Sequence, residues 1–331
     1  MELTLDTKIA RQFWIRSPGV GEIVASPLAP QQEGEVLVRA MFSGISRGTE
    51  ALVFRGEVPA SQRETMRAPF QEGSFSGAVK YGYSSVGEVL AGPAALVGRR
   101  VFCLYPHQDF YRVPVDAVTL LPDGLPPARA VLAANAETAL NAVWDAAPGP
   151  GDRIVVIGAG VVGLLTAWLC ARLPAANVAV HDIDPSRAPV AEALGLRFLS
   201  EPPKGADADL VVHASGSEAG LGVALECAGM EATILELSWY GNRSVSVPLG
   251  EAFHSRRLTL KSSQVGHLPP HRRPRWNHHR RMEVALRLLL DARLDVLVSD
   301  ESDFDDLPTV LAKLSRNPAG TLCHRIRYPH P

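Results

Sequence analysis

The residues with the clearest chemical purpose lie mid-chain, in Gly158-Ala159-Gly160-Val161-Val162-Gly163, directly after the apolar run Arg153–Ile157. In this G-x-G-x-x-G pattern the first glycine permits a tight turn and the second lets the backbone approach a pyrophosphate. The third lets a helix pack closely on its strand. A helix opening here presents free N–H groups and the positive end of its dipole to phosphates. Gly158, Gly160, Val161, Val162 and Gly163 are therefore read as a phosphate cradle. Asp182 follows Gly163 by 19 residues and ends the next apolar run. A carboxylate there accepts from both adenosine ribose hydroxyls and repels a 2′-phosphate. The pattern predicts NAD(H), with NADP(H) the second choice. Arg187 either covers the adenine or ribose edge or is a solvated arginine at a helix start.

The surrounding elements must hold that loop. Strand and helix signals alternate around it: strand Arg153–Gly158, helix Val161–Leu173, strand Asn177–Asp182 and helix Pro185–Leu194. Further strands follow over Leu210–Ala214, Ala232–Leu237 and Leu258–Lys261. Such alternation predicts a doubly wound parallel sheet of Rossmann type. Before it, short β-like runs broken by Gly and Pro (Glu35–Phe42, Ser84–Leu90, Arg100–Leu104, Phe110–Val113) predict an irregular, mostly antiparallel β domain. A helix over Ala128–Ala146 links the two. After it come an amphipathic helix over Met282–Arg293 with Val284, Leu288 and Leu289 inward, a short helix near Asp306, and a last strand over Thr321–Tyr328. The boundaries read as 1–133, 134–267 and 268–331, the last segment returning to the first domain.

The 331 residues, 46% of them hydrophobic, suit two ordinary domains and exclude intrinsic disorder. Lys and Arg number 33 against 35 Asp and Glu, so no global attraction to nucleic acid or anionic membrane is expected. The cysteines Cys103, Cys170, Cys227 and Cys323 stand too far apart for a zinc ribbon or a disulfide framework. Ile154–Leu173 is long and apolar enough to mimic a membrane span, but its three glycines fit the phosphate turn instead. No internal repeat and no basic-then-apolar leader is seen. The chain reads as a reducing-compartment, cytoplasmic protein with no nucleic-acid or membrane partner.

Beyond the glycine motif, several stretches carry a family likeness. They are Ser43-Gly-Ile-Ser-Arg-Gly-Thr-Glu50, Tyr81-Gly-Tyr-Ser-Ser-Val-Gly-Glu-Val89, Gly98-Arg-Arg-Val-Phe102, Leu121-Pro-Asp-Gly-Leu125 and Ser238-Trp-Tyr-Gly241. With these the sequence resembles, over essentially its full length, the medium-chain dehydrogenase/reductase superfamily of zinc alcohol dehydrogenases and zinc-free quinone reductases. The Ser-Arg-Gly-Thr-Glu and Tyr-Ser-Ser-Val-Gly wording is similar to the branch containing bacteriochlorophyllide hydroxyethyl dehydrogenases. The resemblance implies an α/β architecture, a GroES-like β-rich catalytic domain plus a Rossmann domain, with the active site between them and a homodimer.

The resemblance also poses a metal question. Zinc members carry a cysteine where this chain has Ser46 or Arg47, a histidine at Tyr83, and a third ligand near Ala134. None of these suits zinc, which takes thiolate, imidazole or carboxylate, so no catalytic zinc is expected. Glu50, His107 and Glu137 are read as ordinary polar residues. Hydride exchange between nicotinamide C4 and a small-molecule carbonyl, alcohol, activated alkene or quinone then needs a proton donor from the protein, or an acceptor that stabilises its own charge. Tyr83, His107 and Ser46 are the catalytic candidates. By the same resemblance Ser215 and Gly216 receive the nicotinamide ribose, Ser238 and Trp239 the carboxamide, and Glu50, Tyr240 and Gln264 line the substrate pocket. The basic run His271–Arg281 is read as a solvated loop and helix start. Two other readings are a zinc alcohol dehydrogenase with atypical ligands and a catalytically silent dinucleotide-binding protein.

Overall fold

The structure, a computed structural model, describes residues 8–205, 207–317 and 320–329. The chain divides into two compact units, one of Met1–Ala134 with Met282–Pro331 and the other of Asn135–Arg281.

The first unit begins with β1 (Ile9–Ser17) and β2 (Val20–Pro27), a hairpin, followed by the long β3 (Glu35–Ile45) and helix α1 (Arg47–Phe54). Short strands β4 (Glu72–Gly73) and β5 (Val79–Lys80) lead to β6 (Ser85–Ala91), β7 (Arg100–Cys103), β8 (Phe110–Pro114) and β9 (Val118–Leu120). Helix α2 (Pro127–Ala130) follows, and α3 (Ala133–Ala146) carries the chain into the second unit. The single helix expected over Ala128–Ala146 is thus two, separated at Val131 and Leu132, both fully buried.

The second unit alternates β10 (Arg153–Ile157), α4 (Val161–Cys170), β11 (Asn177–His181), α5 (Ala188–Ala193), β12 (Arg197–Leu199) and β13 (Ala208–His213). It continues with α6 (Glu218–Cys227), β14 (Ala228–Glu236), α7 (Ala252–Ser255) and β15 (Thr259–Ser262). Helix α8 (His278–Leu288) returns the chain to the first unit, which ends with β16 (Val298–Asp303), α9 (Leu307–Arg316) and β17 (Cys323–Arg327).

Among the described residues the strands form three sheets. In the second unit six parallel strands run β12-β11-β10-β13-β14-β15, the doubly wound Rossmann order, with its switch point between β10 and β13. These strands have helices on both faces, which is why β10, β11 and β13 read as near-continuous apolar runs. In the first unit four strands run β2-β1-β5-β4, and a larger sheet runs β16-β17-β3-β6-β7-β9 with β8 paired to β3. Pairing is antiparallel except for β16 beside β17. The apolar stretch 154–173 is strand, glycine turn and helix, and no helix among the described residues is long and apolar enough to cross a membrane.

Three differences from the sequence reading have physical causes. Strand β12 was not expected: only three residues long, it is too short to show a period. The β1–β2 hairpin was missed because no residue of β2 is fully buried, so its sequence carries no strong apolar run. Helix α8 starts four residues earlier than expected and buries Met282, Ala285 and Leu286, whereas Val284 and Leu288 are only half-buried; Leu289, just past its end, is buried as expected. The true stripe lies about one residue round the helix from the one assigned.

Candidate functional site

In the second unit, β10 ends at Ile157 and the chain turns at Gly158, whose φ is +108°. That left-handed turn favours glycine, and a Cβ at position 158 would lie 2.7 Å from the backbone nitrogen of Ser215. A Cβ on Gly163 would lie 2.0 Å from the Gly158 carbonyl oxygen, so helix α4 seats against the turn only because position 163 is bare. Around Gly160 a Cβ would meet open space. Gly160 is the N-cap of α4 and no side chain caps it, leaving the half-buried Val161 and Val162 at the head of the helix.

Asp182 sits at this loop. Its Oδ2 accepts from the Ala159 N–H at 2.7 Å and its Oδ1 from the Asp184 N–H at 2.9 Å, which aims the carboxylate beside the glycine turn. Arg187 is buried, with its guanidinium 3.4 Å from Asp184, and so is not solvated. Ile183, between the two aspartates, is 91% exposed.

Across the switch point lies a polar cluster that the sequence reading did not anticipate. His213, the last residue of β13, is fully buried. Its Nδ1 lies 2.7 Å from Glu236 Oε2 at the end of β14, and its Nε2 2.6 Å from the exposed Ser215 Oγ. The Ser238 N–H donates to Glu236 Oε1 at 2.7 Å, the Tyr240 hydroxyl donates to Glu236 Oε2 at 3.2 Å, and the Gly216 N–H donates to Ser238 Oγ at 3.0 Å. Burial works to raise the Glu236 carboxyl, but His213 and the Ser238 N–H outweigh it and hold it below the usual range. Burial and the Glu236 charge push the Tyr240 phenol up. Ser215, Gly216, Ser238 and Tyr240 thus belong to one network. Trp239 is half-buried beside it, and Gln264 is exposed in a turn after β15. The signal for His213 and Glu236 was an ionisable residue ending each of two adjoining apolar strands.

The first unit brings three candidates together. His107 Nε2 lies 2.8 Å from Glu50 Oε2, its Nδ1 lies 2.7 Å from Ser43 Oγ, and Ser43 Oγ lies 3.0 Å from the Tyr328 hydroxyl. All four side chains are 2% exposed or less. Pairing of β17 with β3, Ile326 opposite Ser43, brings Tyr328 alongside. The other Glu50 oxygen accepts from the Ser46 N–H at 2.8 Å. Tyr83 hydrogen-bonds Ser46 and Thr49; burial, then the Glu50 charge, push its phenol up to about 12. Tyr83, Ser46, Glu50 and His107 therefore form one cluster, in which the Ser46 side chain meets Tyr83 and its backbone N–H meets Glu50. Lys80 is buried apart, donating to Gln108 Oε1 at 2.8 Å and paired with Glu72.

The donor set does not suit zinc. No three His, Cys, Asp or Glu side chains converge on a common point among the described residues. The Glu50 carboxylate already pairs with His107 and the Ser46 amide. All four cysteines are buried, and none belongs to such a converging group.

Most of the basic run 271–281 is exposed, as a loop and helix start, and Arg281 is its buried exception. Arg281 is 2% exposed: its guanidinium pairs with Glu137 at 3.0 Å and donates to Asn141 Oδ1 and the Val265 carbonyl. Arg272 lies over Trp144, and Arg280 lies 3.9 Å over Trp276, which packs on Trp144. These cations hold the unit together.

No protein-family model matches the chain. An uncharacterized zinc-type alcohol dehydrogenase-like protein of Haemophilus influenzae is 30% identical over 144 residues, 40% of this chain and 42% of that protein. Thus the chain spans less than half the length of that relative. A D-guloside 3-dehydrogenase of Escherichia coli is 25% identical over 293 residues, 79% of this chain and 83% of that protein. Among solved structures, L-idonate 5-dehydrogenase of Escherichia coli superposes with a TM-score of 0.80 at 14% identity, covering 97% of this chain and 99% of that one.

Proposed function

Because the chain belongs to the medium-chain dehydrogenase/reductase superfamily, we propose that it is a zinc-independent, NAD(H)-dependent oxidoreductase acting on a small-molecule carbonyl, alcohol, activated alkene or quinone. The observation that carries this reading is the glycine turn at the switch point, where positions 158 and 163 tolerate no Cβ and Asp182 is fixed beside the loop.

The residues fit a dinucleotide. The backbone of 158–163 and the head of α4 hold the pyrophosphate, Asp182 takes the adenosine ribose, and Ser215 and Gly216 take the second ribose. When bound, the nicotinamide supplies or accepts a hydride at its C4. Tyr83 holds the proton at its phenol oxygen. A phenol pushed up to about 12 keeps its proton at neutral pH, so it is a donor rather than a base. A phenol is still a stronger acid than an aliphatic alcohol. Transfer from Tyr83 to a nascent alkoxide therefore runs downhill. Ser46 and Thr49 orient the phenol, and the Glu50–His107–Ser43–Tyr328 chain fixes the Glu50 charge behind it. We further propose a homodimer and a cytoplasmic location.

Titration of the protein with NADH, followed by nicotinamide fluorescence, together with elemental zinc assay, tests the reading. Binding of one NADH per chain without stoichiometric zinc is expected. Tightly held zinc would favour the atypical-ligand alcohol dehydrogenase, and binding without turnover of any carbonyl, enone or quinone the silent binder. Tyr83→Phe is expected to lower kcat about 100-fold with KM for NADH unchanged, since general acids contribute roughly 10²–10⁴; unchanged turnover removes the phenol from the chemistry. Asp182→Ala is expected to weaken NADH about tenfold while leaving NADPH unchanged or tighter, read by competitive binding of the two. An unaltered preference would mean that another group reads the ribose.

A further inference from the structure

Glu236 and His213 close two adjoining strands at the carboxyl edge of the parallel sheet. If the adenosine half lies by Asp182 at β11 and the pyrophosphate over β10, the second nucleoside extends toward β13 and β14. We propose that the buried His213–Glu236 pair, acting through Ser215, selects between the oxidised and reduced nicotinamide according to its own protonation. This rests on the cofactor reading above and adds to it which redox form is preferred, and when.

The hydrogen bonds define two states. With His213 neutral, its Nδ1–H donates to Glu236 and its Nε2 accepts the Ser215 hydroxyl proton, so the pair carries one net negative charge. With His213 charged, both ring nitrogens donate, the pair is neutral, and the Ser215 proton is turned away from the ring. Ser215 Oγ also accepts from the Ser217 N–H at 3.2 Å, which keeps it seated in either state. The ring is closely bounded on two sides. On the α6 side, a Cβ at Gly220 would lie 2.9 Å from Nε2 and 2.3 Å from Ser215 Oγ, and on the β10 side its register partner is the apolar Ile157. The groups facing the ring are Glu236, Ser215 and the Tyr240 hydroxyl, 3.4 Å from Nδ1. One layer out, Arg243 lies over the Tyr240 ring and donates to the Gly216 carbonyl. His213 is a positioning residue, and its charge changes the field at the strand ends by one unit.

The oxidised nicotinamide ring is cationic and the reduced ring is neutral. The net negative pair favours the cation, so NAD+ binding expels a proton from His213 and NADH binding does not. The test is the ratio of the dissociation constants of NAD+ and NADH, measured on the wild-type chain across roughly pH 5 to 8, where a histidine changes charge. The ratio is expected to fall about tenfold toward high pH. It should be flat in H213N, which has no imidazole to charge, and in E236Q, where the buried ring loses the carboxylate that favours its charged form. Calorimetry of the wild type in two buffers of different ionisation enthalpy counts released protons directly, so the answer does not depend on either variant folding. A ratio that varies less than about twofold in the wild type, equal proton release by both forms, or an unchanged slope in both variants overturns the inference while leaving the cofactor reading intact. Binding of neither nucleotide overturns both.

Discussion

Gly163→Val is expected to weaken NADH binding at least about 100-fold and to lower the melting temperature of the protein. Even the first added carbon would lie 2.0 Å from the Gly158 carbonyl oxygen, a backbone atom that cannot rotate aside. Relief requires α4 to retreat from β10 by about an ångström, an overpacking strain of about 1–3 kcal/mol. The same retreat displaces the Gly158–Gly160 backbone that the proposed function sets against the pyrophosphate, and binding that depends on aligned N–H groups falls steeply with such shifts. Fluorescence titration with NADH, alongside thermal unfolding, reads both effects. NADH affinity within about threefold of wild type in a well-folded variant would mean that the phosphates do not lie on this loop.

The second large effect is structural. Arg281→Met is expected to destabilise the protein by about 3–5 kcal/mol at neutral pH, because it leaves the Glu137 carboxylate buried without its cation. Burial already raises the Glu137 carboxyl above its usual range, with Arg281 opposing. Removing the arginine lifts it further. A carboxyl whose folded pKa is raised contributes stability that is present below its unfolded pKa and lost as pH rises through the folded one. The deficit of Arg281→Met should therefore shrink on acidification toward the ordinary carboxylate range. Adding Glu137→Leu should recover much of the loss at neutral pH, since it removes the stranded charge. Urea unfolding of the single and double variants at two pH values measures this. A deficit that does not change with pH would show that Glu137 is not the group left unpaired.

The cofactor half of the candidate site was legible because its requirements are local. A bare turn, a helix start and a carboxylate one strand later are fixed by contiguous spacing, so Gly158, Gly163 and Asp182 stand where their order placed them. Strand-helix alternation and apolar period likewise marked the parallel sheet. The residues that escaped notice are long-range partners. Ser43 and Tyr328 are 285 positions apart and meet because β17 pairs with β3. His213 and Glu236 read as interruptions of apolar strands until parallel pairing aligned their ends. Arg281 alone of the basic run 271–281 is buried, and charge by itself does not reveal its carboxylate partner more than a hundred residues upstream.

Fold class and the glycine loop were thus determined by the sequence by itself, since backbone sterics and residue chemistry act over short spans. Which polar side chains join into networks, which charges are buried and where the returning tail contributes were decided only by the tertiary structure. Strand register and burial set those partnerships, and neither leaves a local mark in the order of residues.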